Sequence, residues 1–400
     1  MTKTDQLLVL VLGGCVLLWL GLALFVLMTR ALHDAAALAV RRARSLVVPD
    51  LEDALSGEDV DLTRLLRRLS RRTIERYAAD TATPGPVAAV LAQHVLAHHP
   101  ERILLRAGPG SRRASGRRIV ALRVIARAGR AEALPLLEEA LESGDEEVVA
   151  ASITTLGEIG TMPAAVVLVS ALRRDLFAPS RIAAQLDAFP QPIAGLILPL
   201  LTEQKAQLRF WGATLLARYA GDPAVDLELA AASGDVDDSV RAATVESLAA
   251  GGGPAAVGTA LGLLDDRSWF VRAHAARALG SFGRPDLVAL VMPLLADEAW
   301  WVRSAAKETV QANPPETSDM LVGYLDHEDR FARNGAAEIL QNTGALDALI
   351  ARAVEHGSDA DLDELAKILE AGGGTLVAAA ALRSSDGGQK LIARLARSGT

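Results

Sequence analysis

An arginine preceded by a small or β-branched apolar residue recurs along this chain as Val240-Arg241, Val271-Arg272, Val302-Arg303 and Ala332-Arg333, at intervals of 31, 31 and 30 residues. A period of that length is the mark of a stacked array of helix pairs, in which each unit buries its apolar face only against its neighbours. Such an array builds no single catalytic centre into its fold. The register therefore favours binding and scaffolding before any individual residue is considered.

The same register extends through anchors at Arg118, Val149, Arg181, Arg209, Arg241, Arg272, Arg303, Arg333 and Asp363. Three positions after the anchors stand small residues: Ala121, Ser152, Ala184, Gly212, Thr244, Ala275, Ala306 and Ala336. Seven positions after them come larger apolar ones, Ile125, Leu156, Leu216, Leu248, Leu279, Val310 and Leu340. These offsets define a stripe on a helix whose small central residue admits a neighbouring helix. Each such helix is expected to stop at a left-handed glycine, namely Gly129, Gly160, Gly221, Gly251, Gly283 or Gly344, with Asn313-Pro314 serving once. A second apolar helix follows, as in Pro285 to Leu295, and closes on an acidic turn. Asp145, Asp235, Asp265-Asp266 and Asp326 are expected to cap the helices after those turns.

The run Asp266-Arg267-Ser268-Trp269-Phe270-Val271-Arg272-Ala273-His274-Ala275-Ala276-Arg277-Ala278-Leu279-Gly280 resembles the HEAT-repeat family, in the short bacterial form known from phycobilin-lyase subunits. The resemblance spans roughly residues 111–370, and the repeats at Arg181 and Asp363 depart most from the pattern. It implies an all-α solenoid of about eight HEAT-like helix pairs in a right-handed superhelix, with ladder arginines that bond the preceding turn's aspartate and carbonyls. It implies no reaction, because the family spans scaffolds, transport receptors, phosphatase subunits, bilin lyases and a class of DNA-repair enzymes.

Before the array, residues 7–28 run for twenty-two residues without a charge, long enough to cross a bilayer. A cleaved signal peptide would have a shorter apolar region, and the nearest small-x-small site, Ala37-Leu38-Ala39, lies too far beyond it. The lipobox-like Leu12-Gly13-Gly14-Cys15 continues into Val-Leu-Leu-Trp-Leu, whereas a lipoprotein turns polar after its cysteine. The stretch is thus expected to be an N-terminal transmembrane helix. Arg30, Arg41, Arg42 and Arg44 follow it, against Lys3 and Asp5 before it, so the positive-inside rule directs the N-terminus out and the carboxyl side into the cytoplasm. Alanine-rich helices and the preference for Arg over Lys point to a bacterial inner membrane.

The net charge of −8 conceals a division near residue 130. Residues 30–130 carry nineteen arginines against ten carboxylates, whereas residues 131–400 carry twenty-one basic against thirty-eight acidic side chains. Four domains follow: a transmembrane helix at 7–28, a basic juxtamembrane helical adaptor at 29–110, the solenoid at 111–370, and a C-terminal cap or tail at 371–400. Within the adaptor, residues 61–77 read as one amphipathic helix with Leu62, Leu65, Leu66 and Leu69 on one side and arginines on the other. Arg41, Arg42, Arg44, Arg64, Arg67, Arg68, Arg71 and Arg72 are candidates to face an anionic leaflet. The same helix could instead cap the first repeat, and the two uses are compatible. The acidic body of the array disfavours nucleic acid, leaving the basic adaptor as the one segment suited to it.

No metalloprotease motif, cysteine pair, phosphate-binding glycine loop or nucleophile elbow occurs in the sequence. His94, His98 and His99 cluster just before Pro100, a pattern read as a helix carboxyl end because no third metal ligand is evident. No catalytic, cofactor-binding or metal residue and no small-molecule substrate is assigned.

Only fifteen residues are aromatic, yet Phe210-Trp211, Trp269-Phe270, Trp300-Trp301 and Phe331 all sit beside anchors. Trp269 and Trp300, with Arg330 at the same offset, are the expected partner-binding ridge, while Phe270, Trp301 and Phe331 are expected to fill grooves between repeats. A basic groove along the anchor arginines is disfavoured by the acidic turns beside them. The resulting expectation is a non-enzymatic, membrane-anchored scaffold that binds an integral or peripheral membrane protein, such as an integral-membrane glycosyltransferase to which it is an accessory. The alternatives are a bilin-lyase-like enzyme subunit and a nucleic-acid contact through the adaptor.

Overall fold

The computed structural model describes residues 69–108, 115–313 and 318–343, together with Trp19, Leu27, Met28, Arg30 and Leu66. Every regular element among them is helical. The chain divides into two compact units, 1–191 and 192–400. The apolar stretch 7–28 and the segment 371–400 lie outside the described residues, apart from Trp19, Leu27 and Met28, which are helical and exposed. Among the described residues no helix is long and apolar enough to cross a membrane.

The first unit contains α1 (Arg71–Ala79), α2 (Gly85–His98), α3 (Pro100–Ala107), α4 (Ser115–Arg127), α5 (Ala133–Leu141), α6 (Glu146–Ile159), α7 (Met162–Arg173) and α8 (Pro179–Asp187). The helix expected over 61–77 is broken at Leu69 and Ser70. Ser70 adopts an extended backbone and its hydroxyl accepts the Thr73 N–H at 3.2 Å, so α1 starts afresh after it. Ile74, Tyr77 and Ala78 are buried, and α1, α2 and α3 all pack on α4. The described part of the adaptor therefore covers the first repeat with its apolar side. Further along, α4 packs on α6 and α6 on α8, with Leu122, Ile125, Ile153, Leu156 and Ile182 inside.

The second unit contains α9 (Ala194–Ile197) running into a 3-10 turn at Leu198–Thr202, then α10 (Ala206–Leu216), α11 (Pro223–Ala232), α12 (Asp238–Gly251), α13 (Pro254–Gly262) and α14 (Trp269–Ser281). It continues with α15 (Pro285–Ala289) and a 3-10 turn at Met292–Ala296, α16 (Trp300–Gln311), α17 (Ser318–Gly323) with a 3-10 turn at Tyr324–Asp326, and α18 (Arg330–Asn342). The anchor-bearing helices α10, α12, α14, α16 and α18 pack successively on one another. The stripe read from the register forms their core: Val240, Thr244, Leu248, Val271, Ala275, Leu279, Val302, Ala306 and Val310 are all buried. At Gly212 the small residue is required, because a Cβ there would lie 2.9 Å from the Leu200 Cβ.

Three local expectations are corrected. Pro285 to Leu295 is not one helix: Pro293 has no N–H to give to the Ala289 carbonyl, and the α-helix ends in a 3-10 turn. The stop after α12 is Gly252, with φ at +68°, and not Gly251. Gly251 is the last helical residue, where a Cβ would come within 2.6 Å of the Ala220 carbonyl carbon. Asp145 caps α6 as expected, but α12 and α18 are capped by Asp237 and Asp329 in place of Asp235 and Asp326. Asp235 and Asp266 are engaged elsewhere.

Candidate interaction surface

The anchor arginines show where those aspartates go. Arg241 Nε and Nη2 donate to the two carboxylate oxygens of Asp266, each at 2.8 Å, and its Nη1 donates to the Asp235 and Val236 carbonyls. Arg272 repeats the arrangement on Asp297, with Nη1 on the Asp266 carbonyl. Arg209 repeats it on Asp235, with Nη1 on the Glu203 and Gln204 carbonyls. The expectation that each arginine takes the preceding turn's aspartate is thus half right. It bonds the preceding turn through carbonyls and the following turn through the carboxylate. Each guanidinium ties two successive turns, in the bidentate geometry that only arginine offers.

Within each ladder turn the aspartate also accepts the N–H two residues on, from Asp237, Ser268 or Ala299. Burial raises the Asp266 carboxyl, but the Arg241 fork and the Ser268 N–H outweigh it and leave it below its ordinary value; Asp235 is lowered in the same way by Arg209 and the Asp237 N–H. Side-chain hydroxyls add a second link, since Ser247 donates to the Ala213 carbonyl at 2.8 Å and Thr309 to the Ala276 carbonyl at 3.1 Å.

The ladder changes at the next rung. His327 stands where Asp235, Asp266 and Asp297 stand in earlier turns, and its Nδ1 takes the equivalent N–H, from Asp329, at 3.0 Å. Arg303 still donates to the Asp297 and Glu298 carbonyls but forms no ion pair among the described residues. Its guanidinium lies 4.2 Å from the centre of the Phe331 ring, and that of Arg330 lies 4.7 Å from the same ring.

These turns present the aromatic residues at the first positions of α14, α16 and α18. Trp269 and Trp300 are 44% and 56% exposed, and Arg330, at the same offset in its repeat, is exposed as well. Trp301 and Phe331 correct the expectation of groove filling, being 56% and 40% exposed. The contact between repeats runs diagonally: Trp269 stacks on Trp301 with ring centres 6.3 Å apart, and Trp300 meets the edge of Trp301 at 4.7 Å. Phe270 is half-buried, as its packing role requires, and contacts the His274 ring at 4.4 Å. His274 in turn lies against the Glu246 carboxylate at 2.6 Å. The result is an exposed indole cluster bordered by arginines stacked on Phe331. Sequence offsets alone could not find Trp301, because its stacking partner on the preceding repeat, Trp269, is displaced by one position in the register.

Of the lipid-facing candidates, Arg71 and Arg72 are described, while Arg41, Arg42, Arg44, Arg64, Arg67 and Arg68 lie outside the described residues. Arg71 pairs with the buried Glu75 at 3.2 Å and Arg72 is exposed. His94 and His98 have ring centres 4.3 Å apart, and the His98 Nδ1 hydrogen-bonds the His94 carbonyl. Among the described residues no three metal-ligating side chains converge.

Comparison with known proteins places these observations. A family model described as HEAT repeats matches residues 115–186 and 225–311. No match to a curated protein was found. Among solved structures, an engineered protein from the Northeast Structural Genomics Consortium is 18% identical over 76% of this chain and 99% of its own, with a TM-score of 0.34. Kap121p bound to Pho4p is 11% identical over 84% of this chain and 45% of its own, with a TM-score of 0.47, so the chain spans less than half of that relative. Human deoxyhypusine hydroxylase in complex with glycerol is 16% identical over 63% of this chain and 98% of its own, with a TM-score of 0.29. Over residues 115–186 and 225–311, then, the chain is built of HEAT repeats.

Proposed function

We propose that the chain is a non-enzymatic, membrane-anchored scaffold whose HEAT repeats bind a protein partner at the cytoplasmic face of a bacterial inner membrane. The observation that carries the binding half is the exposed cluster of Trp269, Trp300 and Trp301, continued by Arg303 and Arg330 on Phe331. Indole side chains supply large contact area with few rotors to immobilise, and guanidinium groups add planar, directional donors, which is why both are enriched among the residues that dominate the energy of protein interfaces. A partner suited to this surface lays apolar side chains on the indoles and offers a carboxylate to Arg303.

The anchoring half rests on the uncharged stretch 7–28 and the arginines that follow it. An anchor of this kind makes the partner an integral or peripheral membrane protein.

The test is recovery of the full chain from membranes with its crosslinked neighbours, for the native sequence and for a W269A/W301A variant. A protein neighbour recovered with the first and lost with the second, at unchanged helix content, supports the reading. Recovery of the same neighbour with both sinks the aromatic surface, and a chain lacking residues 7–28 that still sediments with membranes sinks the anchor.

A further inference from the structure

We infer that the first unit carries a phosphate-binding site, in a cleft of about 600 Å³ lined by Arg72, Glu75, Arg76, Arg102, Arg106 and Arg117. This rests on the first unit alone and stands whether or not the scaffold reading does. Three helices bring the arginines together. Arg72 and Arg76 are four apart on α1, Arg102 and Arg106 are four apart on α3, and Arg117 lies in the first turn of α4. Spacing by four places each pair on one face of its helix.

The one carboxylate of the lining is already engaged. Glu75 is 5% exposed, and it lies 3.0 Å from Arg106 Nη1 and 3.2 Å from Arg71 Nε. It ties α1 to α3 and holds the Arg106 guanidinium at the cleft. Arg72, Arg76, Arg102 and Arg117 form no ion pair among the described residues. That pattern contrasts with the second unit, where Arg209, Arg241 and Arg272 are each neutralised by a half-buried aspartate.

The five guanidinium groups share one cleft whose lining holds a single carboxylate among the described residues, and four of the five are exposed there, so their like charges repel. A ligand with clustered negative charge relieves that repulsion. Guanidinium forks match phosphate oxygens in pairs, and a cleft of this volume accommodates a phosphorylated headgroup or a small diphosphate but not a duplex. The shared chemistry is therefore a phosphate monoester or diphosphate, supplied either by an anionic phospholipid headgroup or by a soluble molecule.

Calorimetric titration of the full chain in neutral detergent with inorganic pyrophosphate, dihexanoyl phosphatidic acid and dihexanoyl phosphatidylcholine tests the site and separates the sources. One saturable site for pyrophosphate or phosphatidic acid, with none for phosphatidylcholine, is the expected result. Tighter binding of phosphatidic acid assigns the site to a lipid headgroup, and equal or tighter binding of pyrophosphate assigns it to a soluble ligand. Substitutions R76Q and R102Q should each weaken binding about tenfold, and R117Q, on the third helix, should do so independently. R130Q, exposed and outside the cleft, should leave affinity unchanged. Absence of saturable binding, equal affinity in R76Q, R102Q and R117Q at native melting temperature, or tighter binding of a duplex oligonucleotide than of either phosphate probe would overturn the inference.

Discussion

Arg241 and Asp266 are joined by two parallel 2.8 Å hydrogen bonds across a helix pair, with side chains only 5% and 9% exposed. Removing either partner leaves the other charged, largely shielded from water and without its counter-charge, a loss of about 3 kcal/mol. D266N and R241Q should therefore each lower the urea midpoint strongly. Their combination should cost less than the sum, and strict additivity in the double-mutant cycle would show that the two are not coupled.

The ladder also sets an acid limit. Asp235 and Asp266 are held below their ordinary values in the folded chain, so the unfolded chain binds protons more readily. Their stabilisation is complete above the unfolded carboxylate value of about 4 and is lost as pH falls through the lower folded values. Melting temperature followed from about pH 6 to about pH 2 should fall in that window, and D235N/D266N should show a shallower fall. Equal slopes for variant and native chain would contradict this.

His327 at the altered rung makes a reverse prediction. H327D restores the carboxylate found in earlier turns and should draw the Arg303 fork from the Phe331 ring, raising stability by about 1 kcal/mol. A lowered or unchanged unfolding midpoint would mean that the His327 rung has its own compensations.

Two glycines separate crowding from backbone freedom. G251A drives a Cβ to within 2.6 Å of the Ala220 and Gly221 backbone and should cost about 2 kcal/mol. G262A, at the end of α13 with open space around it, should stabilise by about 0.5 kcal/mol. Thermal denaturation of the two variants reads both signs.

The packing face was legible because helical periodicity and burial are one physical fact: Val240, Thr244 and Leu248 had to lie on a single stripe, and they are buried together. The ladder was only partly legible. Asp235 and Asp237 stand two residues apart in the same acidic turn, and only the backbone path makes one a rung and the other a cap. Trp269 and Trp300 share an offset that the sequence shows directly, whereas the rule that one aromatic of a tandem pair packs inward misplaces Trp301, which is exposed and stacks on Trp269 at a different offset. The cleft of the first unit was hidden further, since Arg76, Arg102 and Arg117 are distant in sequence and meet only through the packing of α1 and α3 on α4.

The central claim is that the aromatic surface, presented at a membrane, holds a protein partner. Photocrosslinking from a probe residue placed at Glu298, whose side chain is 90% exposed two residues before Trp300, tests it most directly when native and W269A/W301A chains are compared in membranes. One dominant protein adduct is expected from the native chain and its loss from the variant, with both chains equally folded. An adduct of equal yield from both chains, or lipid adducts alone, would contradict it.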